Sequence, residues 1–411
     1  MTSRTRTRRA VDACLLVVLL AAARAAPSAQ SDSLTLQAAI DRAFAANPFI
    51  ASTRLRTAIN VAGLAVARER LNPEGTVEIE KEAPKQAFGF ALPLELGGKR
   101  AKRIALGEAT VRAGEMELAA TIAQVRNDVR RAYYDVVVAA ARLELLRELR
   151  DLSQRARDAA QARFDAGDAP RLEVLQASLS LAGAENEATA AEGVVAAARA
   201  RLNALLAQPL DTVQPLATSI DAASPVLISV ALDRARTGSA ELAVLDRRID
   251  EQRARLALAR ALRVPDITPT ATVTHDAEPE FTYGWRAGVA VTLPIFTTHK
   301  AGVVVEQATL AQLIAERDAT LLRINGDVTA AAAGAESQRL AYVRYRDVIL
   351  PQAQEVEQLA QDSYQLGQTG IAALLQALQA SRDVRLRSLE AASQFQAALT
   401  DLERAIGAPL P

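Results

Sequence analysis

The chain predicts a mainly α fold carrying four β-strands, written twice along its length. Three observations carry this: a long-range internal repeat, proline-free stretches of heptad spacing, and period-two segments placed just before them. Phe164-Asp165-Ala166-Gly167 … Val174-Leu175-Gln176-Ala177 returns as Tyr364-Gln365-Leu366-Gly367 … Leu374-Leu375-Gln376-Ala377. Pro209-Leu210 returns as Pro409-Leu410, and Leu92-Pro93 … Lys99 as Leu293-Pro294 … Lys300. Ala39-Ile40-Asp41-Arg42-Ala43 returns as Ala231-Leu232-Asp233-Arg234-Ala235. A repeat this long is a duplicated half-protein rather than a solenoid of small units. The expected organisation is a leader over 1–29, a first repeat over 30–215 and a second over 216–411.

Composition agrees. Half of the 411 residues are apolar but only 4% are aromatic, as suits long Ala/Leu-rich helices packed side by side. Arg4, Arg6, Arg8 and Arg9, then Leu15 to Leu20, then the small residues Ala22 to Ala29 read as an export signal. Its apolar run is too short to span a bilayer, and no 18-residue apolar stretch follows it. Cys14, the only cysteine, falls inside this leader, and Asp12 argues against lipidation there. The exported chain is therefore expected to lack thiols, disulfides and cysteine catalysis. It would carry 43 basic against 47 acidic residues, with no electrostatic case for nucleic acid.

In the first repeat, Leu34 to Ala46 reads as a short amphipathic helix, and Pro48 opens a second that Asn72-Pro73 stops. Thr76 to Glu80 and Phe88 to Leu96 then read as strands. In the latter, alternate residues are Phe or Leu, the mark of a sheet with one apolar face. From Gly98 to about Ala166 no proline occurs, a helix of about 100 Å. Val125, Val129, Ala132, Val136, Ala139, Leu143 and Leu146 form its coiled-coil seam. Gly167-Asp168-Ala169-Pro170 ends it and Pro170 starts the next helix, with Asp168 as the expected cap. That returning helix, to about Leu206, is much shorter than its partner. The helix from Pro48, stacked beyond it, would complete a second column.

The second repeat is similar. Thr268, Thr270, Thr272 and Thr274 alternate with Ile267, Pro269, Ala271 and Val273. Trp285, Ala287, Val289 and Val291 alternate with Arg286, Gly288, Ala290 and Thr292. Strands of this length suit a tilted crossing of a membrane or a pair of ordinary half-buried hairpins, and Phe281, Tyr283 and Trp285 fit an interfacial aromatic girdle or simple packing. Ile324, Val328, Ala331, Ala335, Gln338, Tyr342, Tyr345 and Ile349 continue the seam, with Asn325-Gly326 a weak spot in a continuous helix. Four strands cannot close a barrel, and an open sheet edge cannot sit in lipid. If these strands lie in a membrane, several chains must share one barrel.

Leu92-Pro93-Leu94-Glu95-Leu96-Gly97-Gly98-Lys99-Arg100 resembles the strand-to-helix junction of the TolC-like outer membrane efflux proteins. Within that family it is similar to the CzcC-type branch serving heavy-metal pumps of the resistance-nodulation-division (RND) class. Arg163 to Ala177 resembles the family's periplasmic helix-turn-helix tip. The resemblance covers essentially the whole exported chain. It implies a homotrimer in the outer membrane of a Gram-negative bacterium. Its twelve-stranded barrel would stand on a long antiparallel α-helical barrel reaching into the periplasm. It also implies docking on a periplasmic adaptor protein and an inner-membrane RND-type pump, with passive conduction of substrate, metal cations foremost. Gly167, Asp168, Pro170, Gly367, Gln368 and Gly370 would form the adaptor-facing tip, and Pro93, Gly97, Gly98 and Pro294 the strand–helix junctions. The best-studied members of that family close the tip with acidic rings, partly from the second copy. Here Gln365, Gln368 and Gln376 stand in the second copy, so a gate would rest on Asp165, Asp168 and Glu173.

No catalytic, cofactor or metal site is expected. Gly97-Gly98-Lys99-Arg100 lacks the glycine spacing and the Ser/Thr of a phosphate loop. His275 and His299 each stand alone and read as loop residues, and Met116 is the only methionine after Met1. Nothing resembles a nucleophile with its base. The alternatives are a duct for drugs or for type I protein secretion, and a periplasmic adaptor. Adaptors carry one coiled-coil hairpin, whereas this chain has two, each with its strand pair.

Overall fold

The computed structural model describes residues 33–217, 228–277 and 279–407. The expected leader, Cys14 and the Pro409-Leu410 repeat lie outside them. Thr35 caps α1 (Leu36–Ala46) by accepting from the Ala38 N–H. Asn47 caps α2 (Pro48–Arg68), whose first residue is a proline that needs no partner there. The hairpin β1 (Glu74–Ile79) and β2 (Gln86–Ala91) leads into α3 (Lys99–Asp165), a single helix of 67 residues. α4 (Arg171–Leu205) returns. The order then recurs as α5 (Ile228–Gly238), α6 (Ala240–Ala261), β3 (Ile267–Ala277), β4 (Phe281–Val291), α7 (Lys300–Arg344), α8 (Leu350–Gln365) and α9 (Ile371–Ile406).

The repeated motifs occupy matching places. Ala39 and Ala43 on α1, and Ala231 and Ala235 on α5, are all buried, each pair seated in a cluster with a fully buried valine, Val129 or Val328. The seam residues Val125, Val129, Ala132, Val136, Ala139 and Leu146 are buried, and Leu143 half so. On α7, Ala332 rather than Ala331 is the fully buried seam residue. α7 runs unbroken through Asn325-Gly326. The interruption lies further on, in a π-helical turn over Tyr345–Ile349, where the Leu350 N–H bonds to the Tyr345 carbonyl. Pro351 follows at once, and the widened turn makes room for a ring that would crowd an α-helical carbonyl.

The helices form four columns. α2 and α4 both lie along α3, α6 and α9 lie between α3 and the α7–α8 column, and so α2/α4 and α7–α8 are the two outer columns. Small residues permit the close approach: a Cβ on Gly107 would stand 3.1 Å from Leu64 of α2. The outer columns expose Phe49, Leu55, Ile59, Leu175 and Leu179 on one flank and Val304, Val305, Leu322, Val356 and Leu359 on the other.

The strands make one antiparallel sheet in the order β1-β2-β3-β4, with β1 and β4 free at its edges. The second hairpin has the expected length. The first is shorter than the Phe88–Leu96 run suggested, with strands of six residues each. Beyond Ala91 two prolines thin the pairing: Pro93 has no N–H to give toward β1, and Pro269 none to return to Leu92, so the contact with β3 survives as the Leu92 N–H to the Pro269 carbonyl and a bridge between Leu94 and Ile267.

The Tyr133 side chain is fully buried in the main core and donates its hydroxyl to the Leu34 carbonyl at 2.7 Å. Tyr133→Phe should cost about 1 kcal/mol, the net worth of one buried hydrogen bond, since the Leu34 carbonyl keeps the Ala217 N–H. A lowered denaturation midpoint for the detergent-solubilised protein is the expected result, and an unchanged midpoint would contradict it.

Candidate functional site

Alternation sorts the sheet into two chemically distinct faces. Directly opposed residues share a face, so the register places Val77, Ile79, Phe88, Phe90, Ile267, Ala271, Val273, Tyr283, Trp285, Val289 and Val291 together. Most of these are exposed, with Trp285 at 82% and Ile79 at 81%, an apolar surface no water-soluble fold would leave uncovered. The aromatic trio Phe281, Tyr283 and Trp285 lies on this surface toward the hairpin end. His275 is a strand residue opposite Tyr283, not a loop residue, and their rings lie 4.6 Å apart. The other face carries Thr76, Thr268, Thr270, Thr272 and Thr274, and Gly89, Gly284 and Gly288 lie opposite threonines. A Cβ on Gly89 would strike the Thr76 hydroxyl, and one on Gly288 would approach Thr270 to 3.2 Å.

At the junction below the sheet, Gly97 and Gly98 both take positive φ, and a Cβ on Gly97 would lie 2.7 Å from Val264. His299 takes the place of Gly98 in the second copy, at φ 53°, and caps α7 just as Gly98 caps α3. Pro294 sits in the irregular stretch before it. The basic residues of the junction are structural ties rather than a phosphate loop. Lys99, buried, reaches Asp266 at 2.7 Å, and the Leu96 N–H donates to the same carboxylate. Arg103 holds Glu95 through two nitrogens and also donates to the Ala67 and Glu69 carbonyls, while Arg100 donates to the Arg68 carbonyl. One bracket thus joins the end of α2, the exit from β2 and the entry to β3. Asp266 and Arg103 were not singled out from the sequence; Arg103 lies one helical turn beyond Lys99, which was the available signal.

At the far end, the two tips share one geometry. Gly167 at φ 81° and Gly367 at φ 70° close Schellman motifs, with Asp168 N–H to Arg163 O and Gln368 N–H to Ser363 O, both 2.9 Å. Gly167, Asp168, Pro170, Gly367, Gln368 and Gly370 all face solvent. The returning helix begins at Arg171, with Pro170 extended before it, and Asp168 does not cap it. Proline there already supplies a preset φ, and the chain turns before the carboxylate can reach an N–H.

The three acids expected near a gate separate. Asp165 accepts only from Gln161, one turn back, and the Asp168 side chain makes no hydrogen bond among the described residues. Glu173 alone links the repeats, accepting from the Tyr364 hydroxyl at 3.1 Å. Arg163 lies over the Tyr364 ring at 4.7 Å. Burial, reinforced by Glu173, pushes the Tyr364 phenol up, so its hydroxyl stays protonated and donates. Tyr364 is buried among Ala156, Ala160, Ala177, Ile371 and Leu374, whereas its counterpart Phe164 is exposed. The Phe164/Tyr364 mismatch within the repeat was the overlooked signal.

Among the described residues, no group of three or more His, Cys, Asp or Glu is placed to hold a metal ion, and no helix is long and apolar enough to cross a membrane.

Comparison with known proteins bears directly on this arrangement. The family model described as outer membrane efflux protein matches residues 39–208 and 231–408. The cobalt-zinc-cadmium resistance protein CzcC of Cupriavidus metallidurans is 26% identical over 390 residues, covering 93% of this chain and 92% of that protein. The nickel-cobalt-cadmium resistance protein NccC of Alcaligenes xylosoxydans xylosoxydans is 26% identical over 313 residues, 70% of this chain and 67% of the relative. In fold, the chain is similar to the outer membrane protein VceC of Vibrio cholerae, with a TM-score of 0.74 at 16% identity over 92% of this chain and 97% of that one.

Desolvation opposes ionisation of Asp266, but the hydrogen bonds from Lys99 and Leu96 and the Lys99 charge outweigh it and hold the carboxyl below its usual range. A carboxylate with a depressed folded pKa stabilises above its unfolded value and loses that contribution as pH falls through the folded one. The thermal midpoint of Asp266→Asn should therefore lie below wild type at neutral pH, with the gap shrinking below about pH 4. A gap that does not change with pH would contradict the junction's charge pairing.

Proposed function

The chain belongs to the outer membrane efflux protein family, and on that premise we propose that it is the outer membrane duct of a tripartite metal-efflux system. Three copies close a twelve-stranded barrel through β1 and β4 and a helical barrel through the outer columns, forming a passive channel. One observation carries this reading: an apolar four-stranded sheet whose two edges are both unpaired, which lipid does not tolerate. The exposed aliphatic rows on α2/α4 and α7–α8 repeat the same incompleteness below the membrane.

The solvent-facing tips, about 100 Å from the sheet along α3, meet a periplasmic adaptor and, through it, an inner-membrane pump of the RND type. Glu173, Tyr364 and Arg163 hold the two tips of one chain together, and this contact is the gate's intramolecular half. Metal cations are the proposed cargo because the curated relatives matched over most of the chain are named for cobalt, zinc, cadmium and nickel resistance. Threonines and small residues on the polar face offer weak oxygen contacts suited to passage rather than retention.

Deleting the gene should sensitise the host to zinc, cobalt, nickel or cadmium; sensitivity confined to organic drugs would reassign the cargo, and none at all would defeat the efflux reading. Replacing Gly167 or Gly367 with valine places a β-branched residue at positive φ, at a local cost of about 1–2 kcal/mol. Metal resistance should fall while the oligomer survives. Unchanged resistance would remove the tips from adaptor docking.

A further inference from the structure

We propose that the two free edges of the sheet are keyed to each other by charge, with Arg286 of one subunit pairing with the β1 carboxylates of a second copy. The inference rests on the channel reading above, because it needs copies of the chain side by side. On the polar face the charges are segregated. β1 contributes Glu74 and Glu78 at one edge and β4 contributes Arg286 at the other. The strands between them present alanine, glycine and threonine on that face, apart from Asp276 at the turn, which Lys85 already holds at 2.9 Å. Arg286, Glu74 and Glu78 are exposed and have no hydrogen bond or ion pair among the described residues.

The topology makes the two edges compatible. Every neighbour in the sheet is antiparallel, so β4 and the β1 of a second copy also run antiparallel when they meet. Side chains alternate, so slipping the seam by one residue would carry Trp285 and Val77 to the polar face. The register can therefore shift only in steps of two, through Glu74, Thr76, Glu78 and, next in the alternation, Glu80. Three of these four positions offer Arg286 a carboxylate. Pairing β1 with β1, or β4 with β4, would instead bring like charges face to face, which destabilises a cross-strand pair. Opposite charges on opposite edges thus favour head-to-tail assembly, which closes a ring, over a self-paired dimer, which does not.

The test uses the full chain expressed in bacterial outer membranes and scored as an SDS-resistant oligomer on heating. Arg286→Glu should lose the oligomer at a temperature wild type withstands, and adding one of Glu74→Arg, Glu78→Arg or Glu80→Arg should restore it. If no reversal restores it, disulfide trapping decides. Arg286→Cys combined with a cysteine at 74, 78 or 80 should give an inter-subunit cross-link for one pair, since opposed strand residues lie within disulfide reach. Oligomers indifferent to Arg286→Glu, or no cross-link in any combination, overturn the keying and leave the channel reading intact. A wild-type chain that forms no oligomer overturns the channel reading instead.

Discussion

A strand in a hydrocarbon medium cannot leave its N–H and C=O groups without partners, and this subunit has two strands, β1 and β4, whose outer sides are bare. Water could satisfy those groups, but it would also wet Trp285, Tyr283, Ile79 and Val289, which stand together on the same sheet's outer surface. The two demands conflict in a single chain. They agree once further copies supply the missing partners and lipid covers the apolar face. The rest of the molecule follows from that need to be completed by others.

The helices below obey the same logic at lower stakes. Each long helix is matched by two shorter ones in line, so that columns of near-equal height lie side by side with their seams buried. Rigid attachment to the sheet comes from the bracket of Lys99, Arg100, Arg103, Glu95 and Asp266, which ties the ends of α2, β2 and the entry to β3 at one point. Lys99 is a buried ammonium, and its partner lies beyond the other repeat's second helix, so the two halves of the duplication are locked together there. At the opposite end the halves meet again through Glu173 and Tyr364.

Much of this was legible in the residues. Heptad spacing located α3 and most of α7, because burial along a helix repeats with its own period. Period-two alternation located β3 and β4 for the same reason. The sequence was silent where the outcome depends on contacts far along the chain. β2 ends early because Pro93 cannot donate toward β1 and Pro269, far along the chain, cannot donate back to Leu92. Asp168 looked like a cap, but the turn geometry leaves Pro170 to begin the return unaided. Asp165, Asp168 and Glu173 are chemically alike in sequence, and only packing brings Glu173 under the Tyr364 hydroxyl. The weak spot read at Asn325-Gly326 lies elsewhere in the folded chain, before Pro351, because the π turn that absorbs that proline is a property of the folded helix.

Incompleteness of the single subunit is the claim on which the account stands. Native mass spectrometry of the protein gently extracted from outer membranes measures it most directly. The predicted result is three chains per particle with no appreciable monomer. A monodisperse single chain that remains folded in aqueous buffer without detergent would contradict it.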